Sequence, residues 1–129
     1  MSIILVVEDN PLVQDLLCDM LESYGFQVVS ANDGMMGLHK VKQQLPDLII
    51  SDLDMPRLNG LEMLRVLQQD PITAAIPFIV CSSETDRNTH HLALNQGASA
   101  FLHKPFDLVR LIRTVLTQIE GNPTPAQQA

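Results

Sequence analysis

Short β-branched runs alternate along this chain with longer stretches in which apolar residues recur every three to four positions. Strands are predicted at residues 3–7, 26–31, 47–51, 76–81 and 100–103. Helices are predicted at residues 11–24, 34–45, 60–69, 86–96 and 108–119. Because each strand is followed by a helix, the pattern predicts an α/β domain whose parallel sheet is covered by helices on both faces.

The size and composition of the chain indicate one compact domain. It has 129 residues, of which 46% are hydrophobic and 18% are charged, which suits a single domain with a substantial core. Residues 121–129 are rich in Pro and Gln and carry no helical periodicity. We therefore expect a domain over residues 1–120 and a flexible tail or linker over residues 121–129.

The charge balance excludes some classes of partner. The formal net charge is −7, which disfavours direct binding to nucleic acid or to an anionic membrane and is compatible with a bound cation. No targeting or membrane-spanning segment is recognisable. Cys18 and Cys81 lie in apolar segments without a C-x-x-C spacing, which predicts reduced, buried thiols in a cytoplasmic protein.

Polar residues follow four of the five predicted strands. In a parallel sheet of this kind the strand-to-helix loops share one edge, the carboxyl edge, so these side chains should meet there. They are Glu8, Asp9, Asp52, Asp54, Ser82, Ser83 and Lys104. Carboxylates that are forced together repel each other unless a cation lies between them, and such oxygen ligands suit Mg²⁺. A lysine and a hydroxyl can bind phosphoryl oxygens, so the set indicates aspartyl-phosphate chemistry.

Four segments in this order resemble the motifs of response-regulator receiver domains, the CheY-like, flavodoxin-like modules of two-component phosphorelay signalling. They are VVEDN at 6–10, PDLIISDLDMPRLNG at 46–60, IPFIVCSS at 76–83 and GASAFLHKPF at 97–106. The resemblance extends over about residues 3–120. It implies a doubly wound (βα)5 three-layer sandwich, with a five-stranded parallel sheet in the order 2-1-3-4-5.

The resemblance also implies how the acidic residues work. Asp52 would accept a phosphoryl group from a histidine kinase or a histidine phosphotransfer protein. Mg²⁺ would be held by Glu8, Asp9 and Asp52, with the backbone carbonyl of Asp54 as a further ligand. The signal would pass to a downstream target protein or to an output domain, with no direct binding of nucleic acid and no membrane.

Three further positions match the family's switching residues. Ser82 matches the switch hydroxyl, Lys104 the phosphate-binding lysine, and Phe101 the aromatic switch. The peptide bond between Lys104 and Pro105 is implied to be cis. Ser82 stands where threonine is frequent and Phe101 where tyrosine is frequent, so an output that needs a phenol hydroxyl is not expected.

Phosphorylation would reshape the surface formed by the fourth predicted helix, the fifth strand and the last helix. His103 is predicted to be a surface residue.

Other functions fit the sequence less well. The string Asp52-Leu53-Asp54 also resembles the nucleophile motif of haloacid-dehalogenase-type phosphatases, with Asp54 as acid or base, but that motif usually lies near the chain start. A flavin- or nucleotide-binding module would be expected to carry a G-x-G-x-x-G or P-loop motif, and the chain has neither. A degenerate receiver used as a scaffold is disfavoured because every reactive position is filled. We expect no catalysis beyond self-catalysed phosphoryl acceptance and autodephosphorylation.

Overall fold

The computed structural model describes residues 2–53, 55, 57–83 and 87–120. Five parallel strands form one sheet in the order β2-β1-β3-β4-β5, which is the order that the resemblance implies. The strands are β1 Ile3–Val7, β2 Gln27–Ala31, β3 Leu48–Asp52, β4 Phe78–Ser82 and β5 Ala100–His103. The helices within the described residues are α1 Pro11–Ser23, α2 Gly34–Gln43, α3 Gly60–Leu67, α4 Pro71–Ala74, α5 Arg87–Gln96 and α6 Leu108–Ile119.

The prediction and the structure differ between β3 and β4. The helix predicted over residues 60–69 ends at Leu67, and a separate short helix, α4, begins at Pro71 after the N-cap Asp70. The fourth predicted helix is therefore α5, and the last one is α6. The structure describes α5 from Arg87 onwards, and the predicted first residue of that helix lies outside the described residues, as does the tail over residues 121–129.

Apolar side chains pack on both faces of the sheet. One cluster lies between the sheet and α2, α3 and α5, and includes Leu5, Met63 and Phe78. The other lies between the sheet and α1 and α6, and includes Leu17 and Leu111. None of the described helices is long and apolar enough to cross a bilayer.

The strand register brings the predicted polar residues to the carboxyl edge. Glu8 follows the last residue of β1, whereas Asp52 and Ser82 are themselves the last residues of β3 and β4. Asp52 lies opposite Cys81, and Ser82 lies opposite His103. The strands that carry them are almost entirely buried, so the positions of these end residues are fixed by the core.

Candidate functional site

An ammonium group lies between two carboxylates at this edge. The Nζ atom of Lys104 is 3.0 Å from Oε1 of Glu8 and 3.7 Å from Oδ1 of Asp52. The Glu8 side chain is only 2% exposed, and those of Asp52 and Lys104 are 13% and 21% exposed. Because these charges are largely removed from water, each depends on the others for compensation.

Three carboxylates at this edge lie close enough to share one metal ion. Glu8, Asp9 and Asp52 each offer an oxygen, and these oxygens lie within 4.8 Å of one another. Lys104 is the cation paired with Glu8 and Asp52 here, so the cluster keeps an excess of negative charge. A hard divalent cation with oxygen ligands fits both the donor set and that charge. Asp54 lies outside the described residues.

The pKa of Asp52 is raised to about 6, chiefly by burial and next by the neighbouring charge of Glu8. Lys104 and the backbone N–H of Leu53 act in the opposite direction, and that N–H donates to Oδ1 of Asp52 at 2.8 Å. Burial alone would lower the pKa of Lys104, but its hydrogen bond to Glu8 and the charge of Asp52 raise it instead. The Asp52 carboxylate is thus a poorly solvated base beside a firmly protonated lysine.

The predicted switching residues occupy neighbouring positions. Ser82 is buried, and its carbonyl oxygen accepts a hydrogen bond from the backbone N–H of Lys104 at 2.9 Å. The bond between Lys104 and Pro105 is cis. Phe101 is partly buried, packs against the cluster under α2, α3 and α5, and contacts the ring of His90 on α5 at a centroid distance of 3.8 Å.

The prediction that His103 is a surface residue is wrong. The residue is partly buried, and no described residue offers its enclosed Nε2 atom a hydrogen bond. His103 is the last residue of β5 and lies opposite the buried Ser82 at the end of β4. The cysteines are free, with Cys81 buried and Cys18 partly buried; burial raises the pKa of Cys81 to about 12.

Sequence reasoning missed three residues that support this edge. The Gln14 side-chain amide donates to the carbonyl oxygens of Glu8 and Ala31 and so joins the loops after β1 and β2. Asp33 caps α2 and is paired with Arg57. Asp33 directly before Gly34, the first residue of α2, is a recognisable capping signal, whereas nothing local marks the other two.

An apolar groove of about 320 Å³ lies beside the acidic cluster. It is lined by Val13, Leu16, Ser83, Lys104, Pro105 and Phe106. Lys104 therefore belongs both to the charged cluster and to the wall of the groove. Leu16, which is 51% exposed, lies on α1, so one wall of the groove is an exposed apolar side chain.

Comparisons with known proteins agree on one family. The sequence profile of the response regulator receiver domain matches residues 4–116. Protein PilH of Pseudomonas aeruginosa is 36% identical over 94% of this chain and its own whole length. Hybrid signal transduction histidine kinase D of Dictyostelium discoideum is 38% identical, but the chain spans 7% of its length. The DNA-binding response regulator MtrA of Mycolicibacterium smegmatis is 34% identical, and the chain spans 53% of it.

Solved structures give the same result. The receiver domain of a histidine kinase from Syntrophus aciditrophicus superposes with a TM-score of 0.88 at 32% identity, covering 95% of this chain and 93% of that one. The receiver domain of the sensor histidine kinase PA1611 from Pseudomonas aeruginosa superposes with a TM-score of 0.86 at 28% identity, covering 92% and 98%. That second structure contains a magnesium ion coordinated in its active-site cleft.

Proposed function

This chain belongs to the response regulator receiver family, whose members accept phosphoryl groups in two-component signalling, and we propose that its own acceptor is Asp52. The observation that carries the proposal is the position of this carboxylate, largely buried and 3.7 Å from the Lys104 ammonium group. A nucleophile needs an accessible lone pair, and the Leu53 N–H engages only one of the two carboxylate oxygens. The family is not one of turnover enzymes, and slow autodephosphorylation would be the domain's own reaction.

In the transfer, an Asp52 oxygen attacks the phosphorus of a phosphohistidine in the donor protein. The new O–P bond forms as the P–N bond breaks, and the bonding pair leaves with the imidazole. Lys104 binds a phosphoryl oxygen as it arrives, and the hydroxyl of Ser82 donates to another. Glu8 and Asp9, together with Asp52, would hold Mg²⁺, which lowers the repulsion between carboxylates and phosphoryl oxygens. The carbonyl of Asp54 remains the fourth proposed ligand.

The proposed output is a change in the surface formed by α5, β5 and α6. The phosphoryl group adds a charge of about −1.5 to −2 and draws the Ser82 hydroxyl towards it. Phe101 then turns inwards and leaves His90, whose ring it contacts at 3.8 Å between centroids. A bias of a few kcal/mol is enough to exchange the dominant conformer. A beryllofluoride adduct should shift the NMR signals of α5 and β5, and unchanged signals there would contradict the switch.

The proposed phosphodonor is a histidine kinase or a histidine phosphotransfer protein that docks on the apolar groove beside Lys104. Docking there would place the donor imidazole next to Asp52, because Lys104 lines the groove and is also paired with Asp52. Leu16→Asp should slow transfer from a phosphohistidine protein about tenfold or more. It should leave transfer from acetyl phosphate unchanged, since that small donor makes no contact with the groove. Equal slowing with both donors would contradict this docking site.

The proposed context is a receiver domain over residues 1–120, with residues 121–129 as a tail or linker. Its downstream partner is a target protein or an output domain, as the DNA-binding output of the longer relative MtrA illustrates. The free thiols Cys18 and Cys81 support a reducing, cytoplasmic location. The net charge of −7 supports the absence of direct nucleic-acid binding.

The decisive experiment is incubation with acetyl phosphate and Mg²⁺, followed by intact mass measurement. The wild type should gain one phosphoryl mass, and Asp52→Asn should gain none. Asp15→Asn is the matched control, because it removes an exposed carboxylate of α1, and it should react like the wild type. Phosphorylation of Asp52→Asn would overturn the assignment. Many turnovers of a phosphomonoester would instead favour the phosphatase alternative.

A further inference from the structure

An ion pair joins the loop that leaves the acceptor strand to the loop before α2. The Nε atom of Arg57 donates to Oδ2 of Asp33 at 2.7 Å, and Nη2 lies 2.5 Å from the same oxygen. The Asp33 side chain is 5% exposed, whereas that of Arg57 is 65% exposed. The positive charge that compensates the buried Asp33 carboxylate therefore comes from the loop that follows Asp52.

The same two loops are also in backbone contact. The N–H of Gly34 donates to the carbonyl oxygen of Leu58 at 2.9 Å, and a Cβ atom at Gly34 would overlap that oxygen. At its far end the loop returns to its start, because the N–H of Gly60 donates to the carbonyl oxygen of Leu53. A Cβ at Gly60 would overlap the carbonyl oxygen of Asp52. The loop is thus held at both ends, with the ion pair between them.

Arg57 makes this pair from an unfavourable backbone conformation. Its φ of 66° lies in the left-handed region, which is disfavoured for a residue with a Cβ atom. Glycine would avoid that cost, but it could not reach Asp33. Asp33 is connected to the acidic cluster through the backbone. Ala31, two residues before Asp33, accepts hydrogen bonds from the Glu8 N–H and from the Gln14 side chain.

We propose that Arg57 is a positioning residue: its ion pair with Asp33 fixes the loop after Asp52 relative to Glu8 and Asp9, and so sets the affinity of the acidic cluster for a divalent cation. This inference rests on the proposed metal site. The guanidinium group touches neither the cation nor the phosphoryl group, and acts only through the geometry of the loop. Supporting groups of this kind typically change metal affinity about tenfold or more.

Two opposite charge changes test the pair. Arg57→Gly removes a positive charge near the cluster, so Coulomb attraction alone would strengthen Mg²⁺ binding; Asp33→Asn removes a negative charge and would weaken it. If the pair positions the ligands, both variants should bind Mg²⁺ about tenfold more weakly. The double variant should bind no more weakly than either single one. Asparagine keeps the oxygen that caps α2, and glycine accepts the left-handed φ.

Binding is measured by isothermal titration calorimetry with Mg²⁺ alone, because the chain has no Trp to report it. Urea unfolding in EDTA shows whether each variant is folded, and Arg65→Ala, on the exposed face of α3, controls for the loss of an arginine. Arg57→Lys should recover part of the affinity. Unchanged or tighter binding by folded Arg57→Gly would overturn the proposal. If the wild type binds Mg²⁺ but Asp52 is not phosphorylated, the proposed acceptor fails while the positioning role stands.

Discussion

Asp33 and Asp52 are two largely buried carboxylates at the same edge of the sheet, and their pKa values shift in opposite directions. The N–H of Met36 lowers the pKa of Asp33 most, and the Arg57 guanidinium lowers it further. For Asp52, burial and then Glu8 raise the pKa to about 6, because Lys104 only partly compensates. Asp33 is a satisfied structural charge, whereas the charge of Asp52 is only partly compensated, which suits the cation and phosphoryl group of the proposed function.

The largest effect on stability is expected when the Lys104 ammonium group, which compensates the charges of Glu8 and Asp52, is removed. Lys104→Met leaves Glu8 buried without a counterion, so the free energy of unfolding should fall by about 3 kcal/mol at pH 7. Urea unfolding in EDTA measures it, and Lys42→Met, at an exposed position, is the control. Adding Glu8→Gln to Lys104→Met should restore most of the loss. A Lys104→Met protein as stable as the wild type would show that the cluster is compensated in another way.

Neutralising the two aspartates should change stability in opposite directions. Asp52→Asn removes a destabilising charge, and we expect it to raise the free energy of unfolding by about 1 to 2 kcal/mol at pH 8 in EDTA. Asp33→Asn weakens the pair with Arg57 but keeps the cap, and should lower it by about 1 kcal/mol. Both are read from urea unfolding. If both variants changed the free energy of unfolding in the same direction, the inference that Asp52 is a destabilising charge and Asp33 a stabilising one would be wrong.

The stability of the protein should depend on pH in opposite ways through Asp52 and Asp33. The folded-state pKa of Asp52 lies above its unfolded value, so between about pH 4 and 6 the native state binds more protons. Asp52 therefore makes the protein less stable as pH rises through this window, and the loss should be absent in Asp52→Asn. The folded-state pKa of Asp33 is lowered, so its contribution is present above its unfolded pKa and is lost as pH falls through its folded one. Urea titrations in EDTA between pH 3 and 8 provide the curves.

The smallest effect on stability is expected at the exposed member of the cluster. Asp9 is exposed, so Asp9→Asn should change the free energy of unfolding by no more than about 0.5 kcal/mol. The affinity of the Asp9→Asn variant for Mg²⁺, measured by calorimetry, should nevertheless be about tenfold lower than that of the wild type. Wild-type affinity in Asp9→Asn would exclude this carboxylate from the metal site.

The sequence predicted the sheet, its five longer helices and the convergence of polar residues because periodicity and loop position are local properties; the short helix α4 was not predicted. Asn10 before Pro11 marked the start of α1, and the structure has that cap. The ends of strands were less predictable: Asp52 closes β3 instead of following it, because pairing opposite Cys81 extends the strand by one residue. The pair between Arg57 and Asp33 joins residues 24 positions apart, and no local pattern encodes such a contact. The burial of His103 likewise depends on the packing of β5.

Cys81 lies opposite Asp52 in the ladder between β3 and β4, so a second nucleophilic side chain stands next to the proposed acceptor. Burial raises its pKa to about 12, and at neutral pH the sulfur is therefore a thiol with almost no thiolate. Electrophiles and oxidants that require thiolate find no reactive sulfur at this strand end. Cys81 is also only 1% exposed, so both its burial and its protonation disfavour sulfur as a competitor of the Asp52 oxygen for a phosphoryl donor.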